Sequence, residues 1–523
     1  MGSETAKVVI VGAGMVGLTL AIDLTLQGVP VVVLEKGLGV AEGSRSICQA
    51  KRTLEIWDRL GAGQAIRDAG VTWKVGRVFH GAEELFAFDL LPEAGHKMPA
   101  FVNLQQYRVE AVLHERFRAL GGEVRFGHAL TGLEARADGV EAIVGGPGGD
   151  YRIAADWLVS CEGVRSTARR QLGLEFAGEV FEDKFLICDV KMSGDLPAER
   201  RFWFEPPFHD GQTALLHRQA DDVWRIDLQL GWNADPEVEL QPQNARRRIA
   251  AMVGREDFTF EWISLYVFQC RTLDRYVHGR VIFAGDSAHQ VSPFGARGGN
   301  GGVQDADNLA WKLARVLDGR APGLLASYDS ERVFAARENI LHSTRATDFM
   351  TPKSAASRVL RDQTLDLART APFARALVNS GRLSVPAHLT QSELNTPDDE
   401  PWRAGAVAPG SAAIDAPIRQ GGRSGWWLEA LGGRFVVLTC PAPGAEPPHR
   451  LELGGEAVDV LALGRVIDDV EGQVAARYDL RPGSTLLFRP DQHLAMRCRT
   501  FDAAVLGQAM RRSLALEPRA AHA

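Results

Sequence analysis

One stretch near the start of the 523-residue chain constrains its fold more than any other. Lys7 to Gly12 is a short apolar run rich in β-branched residues, the pattern of a strand buried on both faces. Gly12-Ala13-Gly14-Met15-Val16-Gly17 follows at once, and Val16, Leu20 and Leu24, with Ala13 and Ala21 alongside, repeat at helical spacing. A second run, Val29 to Leu34, ends in Glu35 and Lys36. Strand, glycine turn, helix, strand and terminal acid make the fingerprint of a dinucleotide-binding βαβ unit. Gly12 permits the tight turn, Gly14 lets the backbone approach a pyrophosphate, and Gly17 lets the helix pack closely on the sheet. The free N–H groups of the helix start, around Met15 and Val16, then face the phosphate charge. Glu35 is placed to accept hydrogen bonds from a ribose and would repel a 2′-phosphate, so the bound nucleotide is expected to be ADP-like. The fingerprint alone does not separate NAD from FAD.

At about 150 residues per domain the length suggests three or four units. Hydrophobic residues make up 45% and charged residues 24%, ordinary values that exclude a disordered, collagen-like or disulfide-dense chain. The net charge of −7 argues against a nucleic-acid partner. Six scattered cysteines without a Cys-x-x-Cys pair give no support to a metal site or redox dithiol and suit a reducing, cytoplasmic setting. Met1 to Thr5 carries no basic segment, and the apolar region Val8 to Leu26 is broken by glycines and Asp23, so neither a signal peptide nor a membrane partner is expected.

Two later segments decide between cofactors. Val281 to Ala284 reads as a buried strand, followed by Gly285-Asp286, His289, Pro293 and the glycine-dense loop Gly295 to Gly302. Beyond it a helix is marked by Ala306, Leu309, Ala310, Leu313 and Leu317. Between the motifs lies Asp156-Trp-Leu-Val-Ser-Cys161-Glu162-Gly163. Together these resemble the FAD motifs of single-component flavoprotein aromatic hydroxylases, the p-hydroxybenzoate-hydroxylase-like superfamily. The resemblance implies that Gly285-Asp286 meets the flavin ribityl chain, that Pro293 lies beside the isoalloxazine ring, and that Gly298-Gly299-Asn300 sits under its pyrimidine edge. A helix N-terminus there would stabilise anionic reduced flavin. Glu162-Gly163 stands where the family has Asp-Gly, its carboxylate one methylene further out. Arg45 and Gln106 match residues that reach the flavin's phosphate–ribose region, and Arg52 is expected on a solvated helix face. Arg52 to Gly61, Asn103 to Tyr107 and His342 to Pro352 are most similar to the 3-(3-hydroxyphenyl)propionate-hydroxylase-like branch.

With both motifs serving one cofactor, an α/β, Rossmann-like FAD-binding domain must be discontinuous, spanning 1–180 and 275–394, with helices over 325–380. The insert 181–274 reads as an antiparallel β-sheet substrate domain, with strands at Phe185–Met192, Thr213–His217, Val223–Leu230 and Trp262–Phe268. In the third strand Ile226, Leu228 and Leu230 share one face and Arg225, Asp227 and Gln229 the other. Arg225, Gln229 and nearby His217 are candidate substrate contacts; the alternative is that this face meets solvent. After the linker Asn395 to Pro401, residues 402–523 resemble the C-terminal thioredoxin-like domain of many of these hydroxylases. Cys440 is followed by Pro-Ala-Pro, so dithiol exchange is excluded there.

The resemblance implies that NADH or NADPH reduces FAD and that O2 then gives a flavin C4a-hydroperoxide, which hydroxylates a phenolic or related aromatic substrate. His217 and His289 are the candidate bases, Pro293 lines the reacting ring, and the Gly295 to Gly302 loop is expected to let the flavin swing. A homodimer is left open. A halogenase is disfavoured because no Trp-x-Trp-x-Ile-Pro signature occurs. A dehydrogenase or epoxidase acting on a non-phenolic substrate, or a non-catalytic FAD-binding protein, stays as an alternative.

Overall fold

A computed structural model describes residues 3–516 except 42, 44, 195–196, 210 and 379–382. The N-terminal strand Ser3–Val11 lies inside a parallel sheet, flanked by Gly149–Ser160 and Val31–Glu35, with Val281–Phe283 and Val124–Phe126 outside these. Val8, Val9 and Ile10 have no solvent contact, which is why the run carries no polar alternation. An antiparallel hairpin, Ala129–Ala135 and Val140–Gly146, extends the strand Gly149–Ser160. Helix Met15–Leu26 covers the sheet beside helix Gly298–Leu317. The latter begins at Gly298, inside the dense segment, so Gly298 to Gly302 forms helical turns and the expected swinging loop shrinks to the residues before it. The two helices and the turn at Gly285 meet closely. A Cβ on Gly302 would lie 2.7 Å from Val16 Cγ2 and 3.0 Å from the Gly285 Cα.

The second large sheet runs His289–Gln290, Thr259–Thr272, Ala177–Lys191, Val223–Leu230, Thr213–Arg218, Arg200–Phe204, Val75–His80 and Glu83–Asp89. It takes in two segments that the sequence expectation placed in the cofactor portion, His289–Gln290 and Val75–Asp89. Val75–Asp89, placed with the cofactor portion by sequence order, forms a hairpin whose first strand pairs in parallel with Arg200–Phe204. Pairing there buries Val78 and Phe86 and covers an otherwise open sheet edge. The alternation in Val223–Leu230 holds: Ile226, Leu228 and Leu230 pack with Ala245 and Ile249 of helix Pro242–Val253. Each such side chain contributes about 1.5–3 kcal/mol on burial. The opposite face does not meet solvent, since Arg225 is 3% and Gln229 8% exposed.

Helices Leu324–Met350, Ala355–Ala368 and Pro372–Leu377 occupy most of the stretch read as helical; its last two positions, 379 and 380, lie outside the described residues. The C-terminal portion centres on a five-stranded sheet in the order Arg450–Leu453, Glu456–Ala462, Val436–Thr439, Thr485–Phe488, Leu494–Cys498. Only the Val436–Thr439 and Glu456–Ala462 pair is parallel. No described helix is long and apolar enough to cross a membrane.

This portion is fastened to the rest by buried charge. Arg489 pairs with Glu331 at 2.6 Å and with Asp491 at 2.5 Å, and Lys312 reaches Glu331 at 2.7 Å. Asn308 Nδ2 donates to Asp491 Oδ2 at 3.1 Å. Arg52 belongs to the same knot: it is 3% exposed, pairs with Asp307 at 3.2 Å and donates to the Asp491 carbonyl at 2.8 Å. The solvated-face expectation for Arg52 is thereby overturned, because the C-terminal portion covers that helix face. Burial would raise the Glu331 carboxyl, but Arg489 and Lys312 overcome it and hold it well below the ordinary range. Its stabilising contribution is therefore full above the unfolded carboxyl's pKa of about 4.3 and is lost as the pH falls below that value. Arg489→Met should cost about 3–5 kcal/mol at neutral pH, because two buried carboxylates lose their partner. The shift in denaturation midpoint measures it, and a loss under about 1 kcal/mol would contradict the assignment.

Candidate active site

The cradle for a dinucleotide is built from backbone. Gly12 sits at φ +106°, where a Cβ would lie 2.4 Å from the Cys161 carbonyl oxygen, and its N–H donates to Leu34 O at 2.7 Å. A Cβ on Gly17 would lie 1.9 Å from Gly12 O. At Gly14 the nearest atom to such a Cβ is Glu110 Oε1 at 3.5 Å, which leaves the turn open for phosphate to approach. Glu35 accepts the Ala13 N–H at 2.9 Å and the Gly37 N–H at 2.8 Å. A carboxylate has about four lone-pair sites, so acceptor capacity for a ribose remains. Met15 is buried and Lys36 exposed. Gln106 Oε1 accepts the N–H groups of Ser46 at 3.1 Å and Arg45 at 3.3 Å, while its Nε2 donates to Glu110 at 2.8 Å. Gln106 thus fastens the Arg45 segment by its backbone and leaves the Arg45 side chain exposed. Glu110 was missed from sequence; its four-residue spacing from Gln106 on helix Gln106–Ala119 was the available signal.

The second motif completes the cleft. Asp286 is exposed at its end, yet the surrounding chain raises its carboxyl pKa by burial, opposed by His289 and Arg45. A Cβ on Gly299 would lie 2.9 Å from both Met15 Sδ and Ser46 Oγ, so the first helical turn can approach the first motif only when bare. Asn300 Oδ1 accepts the Ala50 N–H at 2.9 Å and its Nδ2 donates to Cys48 O at 2.9 Å. Its side chain therefore anchors the helix start. Glycines, outward backbone N–H groups at two helix starts and a terminal Asp286 suit an adenine dinucleotide carrying a ring at its far end. Gly12, Gly14, Met15, Val16, Gly17, Glu35, Arg45, Gln106, Gly285, Asp286, Pro293, Gly298, Gly299 and Asn300 could hold or frame FAD.

Other candidates are committed elsewhere. Glu162 accepts hydrogen bonds from Ser160 and Ser166 hydroxyls at 2.9 and 2.8 Å and from the Thr167 and Ala168 N–H groups at 2.9 and 3.1 Å. It caps the helix Thr167–Gln171, and the adjoining backbone, not the carboxylate, touches Gly12. Gly163, at φ +74°, has open space around it. His289 Nε2 meets Asp305 at 2.7 Å, and Asp305 also takes Arg332 at 2.7 Å and the Gly285 N–H at 3.0 Å. His289 is thus a buried brace for the second motif, held through Nε2.

Arg225 makes a bidentate pair with Asp189, at 2.8 and 2.7 Å, and Gln229 Oε1 accepts the Thr213 N–H and hydroxyl at 3.1 and 3.0 Å. Both expected substrate contacts thus brace the sheet. His217 is buried; burial, with Arg200 and Arg225 adding, pushes its pKa well below the ordinary value, so it is neutral. Its tautomer follows from its neighbour. The Trp73 indole N–H donates to Asn103 Oδ1 at 2.7 Å, and Asn103 Nδ2 donates to Arg218 O at 2.8 Å. Asn103 Nδ2 therefore also faces His217 Nδ1, at 3.4 Å. Nδ1 is the acceptor, Nε2 carries the hydrogen, and the imidazole has no free lone pair to act as a base.

Sequence reading passed over Arg200. It lines a cavity walled by Phe202, Phe204, Phe294, Phe349 and Met350, beside Gly295 of the second motif's loop. Arg200 is 5% exposed, its Nη1 has no hydrogen-bond partner, and among the described residues no carboxylate lies in ion-pair contact with it, though the Asp227 charge reaches it. Burial brings its pKa down to about 10. Nothing local in the sequence marks it among 59 basic residues.

Fold and cleft define an FAD-dependent hydroxylase architecture, and comparison with known proteins agrees. The chain belongs to the FAD binding domain family, whose model matches residues 5–343. It is 30% identical over 523 residues to 6-methylpretetramide 4-monooxygenase of Streptomyces rimosus, covering 94% of this chain and 91% of that protein. It is 28% identical over 531 residues to a 3-(3-hydroxy-phenyl)propionate/3-hydroxycinnamic acid hydroxylase of a Mycobacterium species, covering 94% and 88%. The crystal structure of the flavin-dependent monooxygenase PieE with FAD and substrate superposes with a TM-score of 0.83, at 24% identity and 98% and 99% coverage. The protein is an FAD-dependent aromatic monooxygenase. Gly17→Ala, which puts a methyl group into the Gly12 carbonyl, should yield folded protein depleted of flavin. Its absorbance after purification, compared with wild type, tests this; full flavin content would refute the cradle.

Proposed function

We propose that this enzyme hydroxylates a phenolic ring of a multi-ring aromatic compound, bound with its oxygen toward Arg200. The observation that carries the reading is a buried, unpaired guanidinium in an aromatic-walled cavity beside the second motif's loop. A buried cation without a counter-ion gains most from an anionic or acidic ligand, and the phenylalanine walls suit an aromatic ring. The full-length relative named 6-methylpretetramide 4-monooxygenase supports the polycycle reading. When bound, FAD reduced by NADH or NADPH supplies oxygen activation and the transferred oxygen atom. The chain's own part is to hold the cofactor through the glycine turns and Asp286, to orient the ring, and to keep water out. The five-stranded C-terminal portion reads as a thioredoxin-like domain with a structural role, its strand-end Cys440 lacking a partner cysteine.

A panel of phenols, from phenylpropionates to multi-ring polyketides, assayed for NAD(P)H oxidation, oxygen uptake and a product heavier by one oxygen, tests the reading. Faster coupled turnover of single-ring acids would overturn the polycycle assignment. Arg200→Met should raise KM by roughly 10- to 100-fold, as expected for losing a hydrogen bond to a charged group of about 1.5–3 kcal/mol. An unchanged KM would remove Arg200 from the substrate site.

A further inference from the structure

We propose that Asp227 is the base that takes the phenolic proton from the substrate, leaving the negative oxygen facing the Arg200 guanidinium. This rests on the phenolic-substrate reading above and names its proton acceptor. The sheet register places the residue. Asp227 lies opposite Leu215, and Leu215 opposite Phe202, so all three share the face that carries the aromatic cavity. Its neighbours on the same strand and face are already engaged, Arg225 by Asp189 and Gln229 by Thr213. Asp227 Oδ1, in contrast, is buried with no hydrogen-bond partner. A buried carboxylate oxygen without a donor is costly and calls for a ligand that supplies one. A phenol O–H is such a donor, and the unpartnered Nη1 of Arg200 is the matching group for the oxygen once it is ionised.

The groups facing Asp227 favour this role. Arg225 and Asp189 neutralise each other in their bidentate pair. His217 is neutral and has no free lone pair. Tyr266, on Thr259–Thr272 one strand beyond Ala177–Lys191, is held protonated by burial, and so is the Cys48 thiol, pushed up to about 12. Arg200 is left as the unpaired cation. Burial raises the Asp227 carboxyl to about 6, against the pull of Arg225 and Arg200, which poises it as a base near neutral pH. The step balances within the site. The phenol O–H bond breaks, the proton moves to Asp227, and the electron pair stays on oxygen, raising the ring's nucleophilicity. The proton returns to the product's oxygen when the hydroxylated ring regains its aromaticity.

The decisive experiment binds 4-nitrophenol to the oxidised holoenzyme at a pH between the Asp227 value and the phenol's own pKa. Ionisation of the bound phenol is read from the difference spectrum. Protons exchanged with the medium are read by calorimetry in two buffers of different ionisation heat. Wild type should bind phenolate without releasing a proton, because Asp227 keeps it. Asp227→Asn should release one proton per phenolate formed, or bind the neutral phenol. In turnover, D227N should lose about 10²–10⁴-fold with phenols that are neutral in solution and little with phenols already ionised, while Asp227→Glu restores part of the loss. A proton released by wild type on binding, or an equal loss with both kinds of phenol, overturns the proposal. Retained protons with no multi-ring product would instead overturn the polycycle reading and leave Asp227 as the base.

Discussion

Everything in this molecule depends on holding one helix, Gly298–Leu317, with its bare first turn against the cofactor cleft. Its N-terminal face must consist of backbone, so that turn contributes no side-chain packing except through Asn300. The body of the helix supplies the missing fixation by burying charge. Asp305 is met by His289, Arg332 and the Gly285 N–H, Asp307 by Arg52 and Arg59, and Lys312 by Glu331. An unpaired buried charge costs several kcal/mol. A slip of one residue turns the helix by about 100° and would strand three of them at once. The network need not add net stability to be decisive, since it makes every other register worse.

The same helix explains why one cofactor can be held by motifs far apart in the chain. Val16 of the first motif and Gly285 of the second both meet Gly302, at distances that leave no room for a side chain. Gly299 in turn approaches Met15 and Ser46. The cleft is thus a place where three backbones come together, and glycine is what lets them. The C-terminal portion enters this arrangement through Arg489, which reaches Glu331 on the neighbouring helix, and Asp491, which accepts from Asn308 on this helix itself. It therefore helps hold the cofactor helix although it carries no residue of the cleft.

What depends on backbone geometry was legible in the sequence. The βαβ unit, the strand before Asp286 and the two faces of Val223–Leu230 follow from glycine spacing and from periods of 3.6 and 2. What depends on partners was not. Arg225 looked like a substrate contact because its face was right, and no local signal announces a carboxylate 36 positions earlier. Arg52 looked solvated because its partner Asp307 lies 255 positions away. Likewise, the hairpin Val75–Asp89 carries ordinary alternation, and nothing within it says which sheet it will join.

The strand Val223–Leu230 shows how the fold itself separates bracing from chemistry. Three polar residues alternate on one face, and the sequence gives no reason to rank them. Arg225 finds a planar carboxylate in the facing strand and forms a fork that fixes both side chains. Gln229 finds a backbone N–H and a hydroxyl. Between them Asp227 feels the charge of Arg225 and Arg200, yet its Oδ1 receives no donor from either. Packing alone would remove such a group or pair it, because the neutral alternatives cost nothing. A carboxylate kept between two satisfied neighbours, beside an unpaired guanidinium and an aromatic-walled cavity, leaves one acceptor and one donor open to a ligand that supplies the complementary groups.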